Sequence, residues 1–177
     1  MTAATTPDAA ARRQRLGELA WLGAQRAAEV LAGFAGSSVQ AGPLRAEEVL
    51  KSPPFETGVI FRVEGKLTGQ LALCLDLQSR RALVRLLLDE DEPEAPPDMV
   101  ASALCELANI VASQTVSAIA DVLGASISLS VPELALERAA ARVAEERAGH
   151  ARDLIFASEL AAPGTELRVL LVIAPDA

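Results

Sequence analysis

Four polar residues recur at helical spacing in the middle of the chain: Ser102, Glu106, Asn109 and Ser113, separated by four, three and four positions. A 3.6-residue period stacks such positions on one helix face, so a carboxylate and an amide would reach outward side by side. A carboxylate can hold a cationic side chain through a charge-assisted hydrogen bond, and an amide can accept from a water while donating to an anionic neighbour. Together they suit binding and orientation rather than proton transfer. Solvated faces of amphipathic helices also carry Glu, Asn and Ser, so spacing alone leaves an ordinary wet face as the alternative.

The element that must present them is a helix running from Asp98 to about Gly124. Leu104, Leu107, Ala108, Val111, Thr115, Ala118, Ile119 and Val122 form its inward stripe, and Asp98 is placed to cap it. Ser126 to Val131 then alternates at period two into Pro132, as a strand does. Glu133 to Ala148 is alanine-rich and reads as partly helical, stopped by Gly149. Asp153 to Glu159 and Thr165 to Ile173 read as a closing strand pair.

The first half repeats this plan. ELAWLGAQ from Glu18 matches ELANIVAS from Glu106, and the same offset of 88 places Gly36, Ser38 and Val39 on Gly124, Ser126 and Ile127. At an offset of 95, Ile60, Phe61 and Gly69 fall on Ile155, Phe156 and Gly164. A helix is expected over Arg12 to Ala32, with arginines at its start opposing the dipole and fraying its first turn. Val59 to Val63 and Leu67 to Leu75 make a hairpin, and Ser79 to Leu88 a short helix with Leu83, Leu86 and Leu87 inward. Residues 12–88 and 98–174 thus form two repeats, joined by an acidic, proline-rich stretch at 89–97 that reads as a solvated connector. Neither half has a core of its own. The expected fold is a single α/β (α+β layered) domain, with one continuous, mainly antiparallel sheet and two long helices on one face.

Composition narrows the function classes. A formal charge of -8, no tyrosine, four phenylalanines and one tryptophan argue against nucleic acid, whose binding draws on basic surface and stacking rings. The apolar run Leu107 to Ala120 is broken by Asn109, Ser113, Gln114, Thr115 and Ser117, so no membrane insertion is expected. Two cysteines in apolar settings, Cys74 and Cys105, read as free thiols of a reducing, cytoplasmic compartment. His150 is the sole histidine and has no metal-ligating companion, so no metal site is expected.

Ser102, Glu106, Asn109 and Pro132, at gaps of three, two and twenty-two residues, resemble the signature of the CheC, CheX and FliY chemotaxis phosphatases. The segment ALCELANIVASQTVSAIADVLGASI is similar to CheC beyond those positions. The resemblance implies a CheC-like pseudo-twofold fold and hydrolysis of the aspartyl phosphate of a CheY-like response regulator. It implies that Glu106 pairs with the regulator's lysine, that Asn109 places the attacking water, and that Mg²⁺ arrives on the partner. In the first repeat Gln14, Glu18 and Trp21 stand where Ser102, Glu106 and Asn109 stand in the second, and Pro43 is one residue short of the matching spacing. The chain therefore reads as a one-site version, with a catalytically silent chemotaxis adaptor as the alternative. Gln14, Glu18, Trp21 and Gln25 share a face on which Trp21 is either covered by a neighbouring loop or part of an interface with a regulator or a homodimer, and Ser113 extends the corresponding row of the second repeat. A CheD-like partner is possible by family analogy alone.

Overall fold

The first helix sets its own depth in the molecule by residue size. In the computed structural model, which describes residues 7–45, 50, 55–147 and 154–176, α1 spans Pro7–Ala35. Ala20, Ala24, Ala27, Ala28 and Leu31 form its buried row. Alanine is the best helix former and lets a neighbouring helix approach closely. The neighbour is α3 (Pro97–Leu123). At the contact, a Cβ on Gly23 would stand 2.9 Å from Thr115 Cγ2 and 3.2 Å from Ile119 Cδ1. The expected fraying by arginines does not apply at the helix start. The helix begins at Pro7 with Asp8 in its first turn, which puts Arg12, Arg13 and Arg15 beyond the terminal N–H groups.

The strands are β1 (Gln40–Ala41), β2 (Thr57–Gly65), β3 (Gly69–Leu75), β4 (Ile127–Leu129), β5 (Glu133–Ala135), β6 (Phe156–Ala161) and β7 (Arg168–Pro175). They form one sheet in the order β1-β6-β7-β3-β2-β4, with β5 also on β2 and every pair antiparallel. Each edge strand lies on the hairpin from the other half of the chain: β1 on β6, β4 on β2. Period-two alternation divides the sheet into two cores. Val59, Phe61, Val63 and Phe156 face α1, α3 and α2 (Leu77–Leu88), while Ile60, Cys74, Ile155 and Leu170 face α4 (Ala139–Glu146) with Leu50 and Phe55. The two long helices do cover one face, and α4 adds a layer on the other. Phe61 and Phe156 share a face, as do Ile60 and Ile155. The matched glycines differ, however: Gly69 begins β3, whereas Gly164 lies in the turn before β7.

Several local expectations change. Glu133 to Ala135 is a strand, and the helix after it is confined to Ala139–Glu146. The cause is the length of β2: β4 covers Val63 to Gly65, and Gly58 to Ile60 would have an open edge without β5. Between the two, the Arg62 N–H donates to Ser130 Oγ (2.9 Å) and its carbonyl accepts from the Ser130 N–H (2.9 Å). Asp98 is not a cap. Pro97 opens the helix, where its missing N–H costs nothing, and Asp98 lies in the first turn facing the positive dipole end. Val122 is 65% exposed, because the buried row runs through Val100, Ala112, Val116 and Ile119 to Leu123 instead. Leu86 is likewise exposed, and Ser79, Leu83 and Val84 are the buried positions of α2.

The 89–97 stretch is solvated except at Glu92 and Ala95, and it is tied to α2. Arg85 of α2 bonds Asp91 (2.7 Å), Arg80 pairs with Glu92, both of these side chains being largely buried, and Ala95 is in the core. Arg80 and Arg85 thereby hold the acidic run against α2. His150, Gly149 and Asp153 fall outside the described residues.

Candidate functional site

The inward row of α3 fixes the rotation of its outward row. With Leu104, Leu107, Ala108 and Val111 buried, Ser102, Glu106, Asn109 and Ser113 are all exposed. Glu106 and Asn109 are about 4.5 Å apart along the axis, and about 60° apart around it. Among the described residues neither side chain has a hydrogen-bond or ion-pair partner, so both tips are open to an incoming group. The mount is stiff. Thr115 Oγ1 donates to the Val111 carbonyl (2.8 Å) within the helix, whose inner face is embedded along its length. By length and mean hydropathy α3 could also cross a bilayer, yet its apolar row is spent on the sheet and α1.

Gly124, at φ +59°, ends α3 and turns the chain back into β4 beside the same helix. A Cβ on Gly65, at φ +125°, would lie 2.5 Å from the Ser126 carbonyl, so glycine there lets β4 close on β2. Pro132, half-buried, falls in the break between β4 and β5, where no ladder N–H is required of it. The residue before it, Val131, is 84% exposed. Between α3 and β4 an open groove of about 610 Å³ runs from Asn109 past Ser113, Val116 and Ser117 to Asp121. Helical spacing gave the polar pair, but the groove needs β4 in place and has no signal in the sequence.

The first-repeat row is arranged differently. Gln14 Nε2 donates to Glu18 Oε1 (3.1 Å), so that carboxylate is already engaged. Trp21 is 37% exposed and Gln25 is exposed. Arg26 Nη2 donates to Gln114 Oε1 (2.8 Å), tying the helices one residue beyond Gln25 and Ser113. The two helices meet at that bond, whereas Trp21 and Asn109 each lie about 7.5 Å back from it along their own helices.

Both cysteines are free. Burial pushes the Cys74 thiol up to about 12 and raises that of half-buried Cys105 as well, so neither is a ready nucleophile. Among the described residues no group of three or more His, Cys, Asp or Glu side chains is disposed to hold a metal ion.

A scan against known families matches the description "Chemotaxis phosphatase CheX" over residues 57–151, more than half of the chain. This chain belongs to the CheX family. The matched span contains Ser102, Glu106, Asn109 and Pro132 and excludes Trp21. No curated protein matches the chain. Among solved structures, a CheX from Borrelia burgdorferi in a CheX-CheY-BeF3-Mg complex is similar at 16% identity and TM-score 0.64, covering 88% of this chain and 96% of that one. FliY of Thermotoga maritima is similar at 20% identity and TM-score 0.65, covering 98% and 92%. A CheC-like protein from Shewanella sp. PV-4 gives 12% identity and TM-score 0.66, covering 90% and 97%. These structures share the CheX-family fold, including its curled antiparallel sheet under the helices.

Proposed function

We propose that this CheX-family chain hydrolyses the aspartyl phosphate of a CheY-like receiver in the cytoplasm, through its α3 site alone. The observation that carries this reading is the outward Glu106 and Asn109 pair, unpartnered among the described residues, on a core-anchored helix of a chemotaxis phosphatase family member. Asn109 orients the attacking water, accepting its hydrogen bond through the amide oxygen. Glu106 holds the receiver's lysine in register. An acyl phosphate is already activated, so orientation of water supplies much of the gain, and a displacement of about 1 Å can cost around 100-fold. The receiver brings its own Mg²⁺, in keeping with the Mg in the CheX-CheY-BeF3-Mg complex of the Borrelia burgdorferi relative.

The test is the rate of phosphate loss from each candidate receiver with Mg²⁺ present, with and without the chain, beside a binding measurement. Acceleration that disappears in Asn109→Ala supports the reading. Binding of a phosphorylated receiver without faster decay replaces it with an adaptor, the second reading, which Trp21 at the first-repeat asparagine position favours. Trp21, with Gln14, Glu18 and Gln25, supplies a surface for a receiver or a second copy.

A further inference from the structure

The groove beside Asn109 is shaped for more than one side chain. From Asn109 to Asp121 the helix advances about 18 Å, the length of about five residues of extended chain. Ser113, Ser117 and Ala120 keep the helix wall low, while Val116, Ile127 and Leu129 supply apolar contact. Among the described residues Asp121 is the only charged side chain in the lining, and it is exposed. Among the described strands β4 is paired on one side only, with β2, so its outer edge retains free backbone donors and acceptors. An edge strand facing a helix is the arrangement that accepts an extended segment as an added strand.

Resting on the receiver reading above, we propose that this groove takes an extended cationic segment of the same phosphorylated receiver, with a Lys or Arg beside Asp121. A segment there is continuous with the group at Asn109, so docking and placement of the reacting water share one surface. A second copy of the chain is a poorer occupant. Isologous pairing of two β4 edges would join chains that each carry a formal charge of -8.

The experiment measures affinity for CheY-type receivers from the same cell, loaded with BeF3⁻ and Mg²⁺, and steady-state turnover of their acetyl-phosphate-phosphorylated forms. Asp121→Lys should weaken binding about tenfold at low salt, with the gap narrowing above about 0.15 M ionic strength. Ser117→Trp should fill the groove and weaken binding about tenfold at every salt concentration. Both should raise KM and leave kcat within about twofold, and Glu90→Lys, an exposed charge change outside the lining, should do neither. Unchanged affinity in both groove variants, with turnover still lost in Asn109→Ala, would overturn the groove assignment and leave the phosphatase reading intact. Altered self-association with unchanged receiver affinity would also overturn it, giving the groove to a second copy. A wild-type chain that engages no receiver would remove both.

Discussion

Asn109 and Glu106 sit one helical turn apart, yet their substitutions should separate. Asn109→Ala removes the amide proposed to orient water and costs the helix nothing, since alanine is the better helix former. Loss of most receiver dephosphorylation with little change in binding is the expected outcome, read from paired kinetic and binding curves. Glu106→Ala removes the proposed partner of the receiver's lysine, so affinity and turnover should fall together by about 1.5 to 3 kcal/mol where the pair is shielded in the complex. The thiols differ by burial. Cys74 is fully buried with its pKa raised to about 12, so in the folded protein it stays protonated while an unfolded thiol ionises near its ordinary 9.0. Because the unfolded state loses that proton first, stability falls as pH rises between these values and is unaffected by this group below them. Denaturation midpoints measured from pH 8 to 11 should decline less steeply in Cys74→Ala than in the native sequence. Thiolate-directed reagents should modify Cys105 well before Cys74.

The position of α3 depends on what holds its two ends. At the N-terminal end, Arg80 and Glu92 pair with side chains only 23% and 15% exposed, drawing the acidic stretch onto α2 ahead of Pro97. Glu92→Ala leaves the arginine short of a partner in a mostly buried place and should cost about 1 to 3 kcal/mol in chemical denaturation. Its effect on receiver turnover should follow stability rather than chemistry. At the C-terminal end, Gly65→Ala forces a side chain into a positive-φ position and toward the Ser126 carbonyl at 2.5 Å. The expected loss is about 1 to 3 kcal/mol, accompanied by faster amide exchange across Ile127 to Leu129 as β4 loosens from β2. Helical periodicity made the outward polar row readable at this scale. The strand at Glu133 to Ala135 was not, because alanine-rich sequence favours helix and only the vacant edge of β2 draws those residues into pairing.

At the scale of the molecule, the interlocked order β1-β6-β7-β3-β2-β4 makes each half depend on the other for its edge strand. One tryptophan reports on the surface of the first half. Trp21 emission should shift when the chain is concentrated or when phosphorylated receiver is added, and constancy in both titrations would remove Trp21 from any interface. Trp21→Ala should leave phosphate release in the assembled complex unchanged. What the sequence determined by itself was local and periodic: a long helix with Glu106 and Asn109 opposite its apolar row, a hairpin at Val59 to Leu75, and a family resemblance carried by the fixed spacing to Pro132. Those features repeat within a few residues or lie at set distances along the chain, so composition and order suffice to expose them. Tertiary structure alone decided which apolar positions stay wet at Leu86 and Val122, how the arginines of α2 capture Asp91 and Glu92, and that β4 closes a groove beside Asn109. Each of these depends on partners far apart in sequence, and burial and charge pairing act on distance in space, which no periodicity along the chain records.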